Sequence, residues 1–161
     1  MRKQISFEIE EVENQQLLNE ADRELVSKAK EATTLAYAPY SGFKVGAVAK
    51  LKNGAFVYGS NQENASYPVG ICAERTLLST ISSLYPNEAV DTIAITYDNE
   101  KGDSSEPVAP CGICRQTLLE YELRTHSSIR LLLAGNNGKI IIIPKASFLL
   151  PFGFSADDMN R

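Results

Sequence analysis

The stretch "PVGICAER", residues 68–75, sets Cys72 two positions ahead of Glu74 where a helix is predicted to begin. The apolar spacing after Cys72 is helical, and "CGICRQTLLEYEL" (111–123) predicts a second helix that also starts at a cysteine. Between them, "VDTIAITYD" (90–98) is an apolar run typical of a buried strand. Strand and helix therefore alternate in this part of the chain, which indicates an α/β fold.

The flanking segments complete the predicted fold. "EADRELVSKAKEATTLAY" (20–37) predicts a first helix, and "FKVGAVAKL" (43–51) with "AFVYGSN" (55–61) predicts a hairpin around an Asn-Gly turn. "IRLLLAG" (129–135) and "KIIIIP" (139–144) predict two more strands. The expected fold class is α/β, a three-layer α/β/α domain with a five-stranded mixed sheet, because strands split by a helix tend to run parallel and the hairpin antiparallel.

Length and composition favour one domain. The chain has 161 residues, 43% of them hydrophobic, enough to bury a core without disulfides. Residues 1–18 are interpreted as an N-terminal arm and residues 19–161 as a single domain, with 97–107 as its most mobile loop.

The charge pattern points to a small-molecule partner. The formal net charge is -4, and no Lys/Arg-rich run could neutralise a row of phosphates, so nucleic-acid binding is not expected. No apolar stretch approaches the roughly 20 residues that span a bilayer, and the charged start lacks the apolar run of a secretory signal. We therefore expect a cytoplasmic protein with no membrane partner.

The three cysteines of the chain, Cys72, Cys111 and Cys114, require a chemical explanation. In a reducing compartment they favour metal binding or catalysis over disulfide formation. Cys111 and Cys114 are three residues apart, so on a helix they share one face and can hold one ion, with Cys72 as a third ligand. Three protein ligands leave a fourth position on zinc for water, as in catalytic sites, although the spacing also allows a closed structural site.

Two other interpretations of the cysteines stay open. His126, the only histidine, could complete a structural zinc site, but on a continuous helix it lies 12 residues beyond Cys114, roughly 18 Å away at about 1.5 Å per residue. Alternatively, "CGIC" could be a redox dithiol, which would leave Cys72 as a spare thiol and Glu74 without a task.

Glu74 distinguishes a catalytic centre from these alternatives. A carboxylate two residues beyond a ligand lies near the metal without being needed to hold it, and can move a proton between water and a substrate nitrogen. Three thiolates on Zn²⁺ give the centre a net negative charge, which the two helix N-termini can offset together with Arg75, since Arg75 can hydrogen-bond to a coordinating thiolate. Arg115 is a weaker candidate, and ordinary surface ion pairs would also explain both arginines.

These residues also carry a resemblance. "CAER" followed by "PCGICRQ" matches the signature of zinc nucleoside deaminases. More closely, "YSGFKVGA", "NQENASYPVGICAERT", "PCGICRQTLLEY" and "LLPFGF" resemble, in order and spacing, the small homotetrameric cytidine deaminases, over residues from about 20 to 158. The resemblance implies hydrolytic deamination of cytidine and 2′-deoxycytidine in pyrimidine salvage, with one Zn²⁺ per subunit of a homotetramer.

The resemblance also assigns roles to residues. It implies that the three cysteines bind zinc, that Glu74 shuttles the proton, and that the backbone of Ala73 and the carbonyl of Pro110 contact the pyrimidine. The implied remaining substrate contacts are Asn61 and Glu63 to the ribose, Phe43 near the substrate, and Phe154 stacking on it from a neighbouring subunit. Without the motif, these residues would be interpreted as turn residues and ordinary core aromatics.

The chain departs from the family pattern in two places near the motifs. Ile113 stands between the two cysteines where smaller residues are common, and the segment 97–107 looks lengthened. Three rival functions stay open: deamination of another aminopyrimidine nucleoside, deamination of a polynucleotide, which the acidic composition disfavours, and a structural zinc module.

Overall fold

A computed structural model of the chain describes residues 1–159, so the last two residues of the predicted domain, 160 and 161, lie outside the described residues. The helices and strands are β1 Glu10–Val12, α1 Glu20–Ala32, β2 Phe43–Leu51, β3 Phe56–Ser60, α2 Ala73–Leu84, β4 Val90–Asn99, α3 Gly112–Thr125, β5 Arg130–Ala134, β6 Ile140–Ile143 and α4 Ala156–Met159. Short 3₁₀-helices span Gln15–Leu17, Thr33–Leu35, Tyr67–Val69 and Ala146–Leu149.

The strands form one mixed sheet in the order β1-β6-β5-β4-β2-β3. Strands β4 and β5, separated by α3, run parallel, and β2 and β3 form the predicted antiparallel hairpin. The predicted count of five strands was wrong, because β1 adds a sixth strand that pairs antiparallel with β6. The segment Glu10–Val12 is short and charged, so its sequence carries little strand signal, yet its backbone covers the otherwise unpaired edge of β6. The boundary between residues 18 and 19 stays a prediction.

The two faces of the sheet bury different helices, which confirms the three-layer architecture. On β4, Ile93 and Ile95 belong to the core cluster that includes α2 and α3, whereas Ala94 belongs to the cluster that includes α1. This alternation follows from the two-residue period of a strand. Leu77 on α2 and Leu118 on α3 are fully buried. Burial of each such side chain stabilises the folded state by about 1.5 to 3 kcal/mol relative to leaving it exposed.

Helix α1 is tied to the sheet by an ion pair. The Asn19 side chain caps the helix by accepting a hydrogen bond from the backbone N–H of Asp22, at 2.9 Å. The Asp22 carboxylate accepts two hydrogen bonds from Arg130 on β5, at 2.6 and 2.7 Å. Burial raises the pKa of Asp22, but the hydrogen bonds and charge of Arg130 outweigh it, so the pKa lies below the ordinary value of 3.8.

Close packing of α2 on β3 positions the first turn of that helix. A Cβ on Gly59 would lie 2.5 Å from the carbonyl oxygen of Ala73 and 2.6 Å from the amide nitrogen of Leu77. Only glycine therefore lets the start of α2 approach the strand so closely. Within residues 1–159, no helix is both long and apolar enough to cross a lipid bilayer.

Candidate active site

The three cysteines meet where two helices begin. Cys72 is the N-cap residue of α2, Cys111 is the N-cap residue of α3, and Cys114 lies in the first turn of α3. The Sγ atom of Cys111 lies 3.7 Å from that of Cys72 and 3.4 Å from that of Cys114. Within residues 1–159, these side chains form the only group of three or more His, Cys, Asp or Glu residues close enough to share a metal ion.

The geometry of the three sulfurs fits zinc. With zinc–sulfur bonds of about 2.3 Å, tetrahedral coordination separates two sulfurs by about 3.8 Å, close to the spacing observed here. The N-termini of α2 and α3 direct their positive dipole ends at the sulfurs, which stabilises thiolate charge. His126 is the C-cap residue of α3, at the end of the helix opposite to the cysteines, so it does not join this group.

The thiols are electrostatically coupled. A hydrogen bond from Cys114 is the main cause that lowers the pKa of Cys72 to about 6, against the opposing effects of burial and of the nearby Glu74. A hydrogen bond from Cys111 and the charge of Arg75 lower it further. The same pairing with Cys72, together with burial, raises the pKa of Cys114. The cluster thus favours a thiolate at Cys72, the form in which cysteine binds metals.

Glu74 is a buried carboxyl group beside the sulfurs. It lies in the first turn of α2, is 5% exposed, and lines the same pocket as Cys72 and Cys111. Burial raises its pKa above the ordinary value of 4.5, while its own backbone N–H and a hydrogen bond from Cys114 partly oppose the increase. This environment suits a group that takes up and releases a proton.

One pocket of about 470 Å³ gathers most of the predicted site residues. From the predicted set it is lined by Phe43, Asn61, Glu63, Cys72, Ala73, Glu74 and Cys111. Its wall also includes Val108 and Ala109, which precede the buried Pro110. The pocket therefore extends from the sulfurs at one end to the ends of β2 and β3 at the other.

Asn61 reinforces the strand that carries Phe43. Its side-chain oxygen accepts a hydrogen bond from the backbone N–H of Val45 at 2.7 Å, and its side-chain nitrogen donates to the carbonyl of Phe43 at 2.9 Å. An amide has two acceptor positions on oxygen and two N–H donors, so one of each is left for a ligand. Asn61 is thus a structural part of the pocket wall as well as a candidate substrate contact.

Glu63 is held as a charged acceptor at the outer end of the pocket. Its carboxylate accepts hydrogen bonds from the hydroxyl of Ser41 and from the backbone N–H groups of Tyr40, at 2.9 Å, and Ser41, at 3.3 Å. The Ser41 hydroxyl is the main cause that lowers the pKa of Glu63. A second recess of about 430 Å³, lined partly by Tyr40 and Tyr67, shares Ser41 and Glu63 with the pocket.

Arg115 acts on a backbone carbonyl of the site, a role that the sequence analysis missed. Its Nε donates to the carbonyl of Pro110 at 2.8 Å and its Nη1 donates to that of Leu149 at 3.2 Å. It therefore links the segment before Cys111 to the C-terminal segment. The only sequence signal is its place directly after Cys114 in the "PCGICRQ" motif.

Phe154 lies outside the pocket of its own chain. Phe154 is 58% exposed, and it is not among the residues that line the pocket. Its backbone is held firmly, because Gln116 on α3 donates to the Phe154 carbonyl at 2.7 Å and accepts from the Phe154 N–H at 3.1 Å. The structure thus fixes this aromatic ring on the outer surface, and the sequence analysis did not identify Gln116 as its support.

The fold and site together have the features of a metal-dependent hydrolase: a cluster of three thiols with zinc-like spacing, two of which line a pocket beside a buried carboxyl group. The family model for the cytidine and deoxycytidylate deaminase zinc-binding region matches residues 19–128. The chain therefore belongs to this family and is a deaminase.

Individual relatives agree with this assignment. The cytidine deaminase of Halalkalibacterium halodurans is 40% identical over 136 residues, which cover 84% of this chain and 96% of the relative. A cytidine deaminase of Mycobacterium tuberculosis is 34% identical over 140 residues, which cover 85% of this chain and 92% of that protein. The crystal structure of cytidine deaminase from Burkholderia pseudomallei is similar with a TM-score of 0.71 and 36% identity, covering 85% of this chain and all of that one.

Proposed function

We propose that the protein is a zinc-dependent cytidine deaminase that converts cytidine and 2′-deoxycytidine to uridine and 2′-deoxyuridine with release of ammonia. The observation that carries this proposal is the buried Glu74 carboxyl group in one pocket with sulfurs spaced for a tetrahedral metal ion. The relatives named cytidine deaminase support the choice of substrate. A cytoplasmic role in pyrimidine salvage suits three free cysteines, which persist in a reducing compartment.

Cys72, Cys111 and Cys114 would hold one zinc ion per subunit, with Arg75 contributing its positive charge beside Cys72. When bound, the ion would lower the pKa of a water molecule at its fourth position and so supply a nucleophile at neutral pH. The N-termini of α2 and α3 offset part of the negative charge that three thiolates bring. A ligand that moved by even 1 Å would disturb this arrangement, and the buried Ala73 and Cys114 hold the first turns of the two helices in place.

Glu74 would carry the proton through the reaction. It would accept a proton from the attacking water and deliver it to ring nitrogen N3 as the C4–O bond forms, then take the remaining proton from the new C4 hydroxyl group and pass it to the amino group, which leaves as ammonia as the C4–N bond breaks. Its burial keeps competing water away from the carboxyl group. One residue thus serves first as base and then as acid.

The backbone would orient the pyrimidine. The Ala73 N–H lies in the first turn of α2, where amide groups have no partner within the helix, so it can donate to the ring carbonyl. The Pro110 carbonyl accepts one hydrogen bond from Arg115 and retains a second lone pair for the amino group. Both groups lie beside the sulfurs, so the ring would enter with C4 towards them.

The ribose would bind at the outer end. Asn61 and Glu63 present amide and carboxylate groups that pair with sugar hydroxyls, while Phe43 offers an apolar surface. A site built to hydrogen-bond a hydroxyl rejects ligands that lack it, because its polar groups are then left unpaired. These contacts would select a nucleoside over the free base. The proposed partner is therefore a small-molecule nucleoside, and neither a nucleic acid nor a membrane is proposed as a partner.

We further propose that the active form is a homotetramer in which Phe154 stacks on the substrate of a neighbouring subunit. Large apolar side chains are exposed on the segments that precede α2, begin α3 and follow β6. They are Tyr67, Val69, Ile113, Phe152 and Phe154. Burial of such side chains between subunits would remove them from water.

The proposal is tested with purified protein whose zinc content is measured per chain. Ultraviolet absorbance should show that the wild-type protein converts cytidine and 2′-deoxycytidine rapidly, whereas cytosine, deoxycytidylate and other aminopyrimidine nucleosides react slowly or not at all. Light scattering should show a tetramer. Absence of turnover with any of these compounds by a protein that holds one zinc per chain would overturn the assignment in favour of a structural zinc module.

A further inference from the structure

Tyr97 lies directly behind one wall of the pocket. It is near the end of β4, opposite Val45 on β2, and is 5% exposed. Its ring stacks on that of Phe43, with centroids 4.8 Å apart and an angle of 15° between the planes. Phe43 lines the pocket and Tyr97 does not, so Tyr97 supports the wall without touching its contents.

The hydroxyl group of Tyr97 reaches the opposite wall. It donates a hydrogen bond to the backbone carbonyl of Glu106 at 2.8 Å. The chain then runs through Val108 and Ala109, which line the pocket, to Pro110, whose carbonyl is held by Arg115. The segment 106–110 is therefore fixed at both ends, by Tyr97 at one end and by Arg115 at the other.

The loop that precedes this segment is docked on the rest of the sheet. The hydroxyl of Ser104 accepts a hydrogen bond from the N–H of Asn99 at 2.8 Å, and its carbonyl accepts one from the N–H of Asn136. A Cβ on Gly135 would overlap the carbonyl oxygens of Ser104 and Ser105, so only glycine permits this approach. This loop is thus anchored as far as Glu106, whose carbonyl accepts the hydrogen bond from the Tyr97 hydroxyl.

We propose that Tyr97 is a positioning residue that sets the distance between Phe43 and the segment 106–110, and thereby the affinity of the pocket for its nucleoside. This inference rests on the proposed function for the identity of the substrate. One side chain contacts both walls, through its ring on one side and its hydroxyl on the other. A shift of either wall would misplace the pyrimidine without altering the sulfurs or Glu74.

The decisive variant is Tyr97→Phe, which keeps the ring and removes the hydroxyl. Tyr121→Phe is a matched control, because Tyr121 is equally buried, at 3% exposed, and donates to the carbonyl of Glu88 at 3.0 Å, outside the pocket. The KM of Tyr97→Phe for cytidine should rise about three- to tenfold, the equivalent of one hydrogen bond, with kcat and zinc content unchanged. Both variants lose one buried hydrogen bond, so their Tm values should fall by similar amounts. The KM of Tyr121→Phe should be unchanged.

Two further measurements make the result decisive. Tyr97→Leu, which removes the ring as well, should raise KM beyond the value of Tyr97→Phe. Amide hydrogen exchange within residues 106–110 should become faster in Tyr97→Phe and not in Tyr121→Phe. Equal KM values or equal exchange in the two Phe variants would overturn the inference. A wild-type protein without cytidine deaminase activity would overturn the proposed function instead, and exchange would then decide the role of Tyr97 by itself.

Discussion

The two ends of the pocket are built differently. The inner end, with Cys72, Cys111 and Glu74, lies on the N-termini of α2 and α3. The outer end, with Glu63 and the nearby Tyr67, includes the segment between β3 and α2, and Tyr67 is 76% exposed. One chain thus completes the chemical centre but leaves the substrate-enclosing end open to solvent.

The difference shows which functions need rigidity from the core. Metal ligation and proton transfer tolerate only small displacements, and the residues proposed for these roles lie on helices that carry fully buried side chains such as Leu77 and Leu118. Enclosure of a ligand tolerates more variation and can be shared between subunits. Variants at the inner end should therefore abolish catalysis, whereas variants at the outer end should mainly weaken binding.

The largest effect is expected for Cys114→Ser, at the inner end. Cys114 is fully buried, and replacing its sulfur with a hydroxyl removes one of the three proposed zinc ligands. We expect loss of bound zinc and a deaminase rate below the detection limit, measured by elemental analysis and by cytidine turnover. His126→Ala, at the far end of α3, should retain both zinc and activity. Zinc loss in the His126 variant with retention in the Cys114 variant would reverse the assignment of ligands.

Glu74→Gln should separate metal binding from catalysis at the same end. The amide is nearly isosteric but cannot transfer protons, so kcat should fall by about a hundredfold to ten-thousandfold or more, with zinc content unchanged. Glu120→Gln, at an exposed position on α3, is the control and should leave kcat as it is. Substantial turnover by the Glu74 variant would exclude it as the proton shuttle.

Phe154→Ala should act on the outer end alone. If its ring stacks on the substrate of a neighbouring subunit, its removal should raise KM about five- to a hundredfold, the range for loss of one base–aromatic stack, without loss of zinc. Phe152→Ala is a control from the same segment, two residues away and 89% exposed. Equal KM values for the two variants would show that Phe154 does not contact substrate.

Asp22→Asn changes a region remote from both ends and should have the smallest effect on catalysis. We expect unchanged KM and kcat, and a free energy of unfolding lower by about 1 to 3 kcal/mol at pH 7, from loss of charged hydrogen bonds to Arg130. Because the folded-state pKa of Asp22 is depressed, this stabilisation is fully present above its ordinary value of 3.8.

The stabilisation should then be lost as the pH falls through the lower, folded-state value. The difference between wild type and Asp22→Asn in urea unfolding should therefore stay constant from pH 7 to about 5 and shrink below about 4. Glu11→Gln, which breaks an exposed ion pair with Lys139, should cost at most about 1 kcal/mol. A difference between wild type and Asp22→Asn that grew on acidification would refute the role of the Arg130 pair.

Local patterns in the sequence determined much of this protein. Helical spacing predicted α2 and α3, and an Asn-Gly pair predicted the β2–β3 hairpin, because these elements depend on neighbouring residues. The spacing of Cys111 and Cys114 and the position of Glu74 after Cys72 predicted a metal centre with a proton-transfer group. The structure brings the three sulfurs together and places Cys72, Cys111 and Glu74 in one pocket.

Only the tertiary structure decided the contacts between distant segments. Strand β1 pairs with β6, Gln116 holds the backbone of Phe154, and Tyr97 joins Phe43 to the segment 106–110. Each of these contacts links residues whose local sequence has no periodic or motif signal for the partner. Their geometry depends on how the sheet and helices pack, since hydrogen bonds and ring stacking act over a few ångströms in space, whatever the separation along the chain.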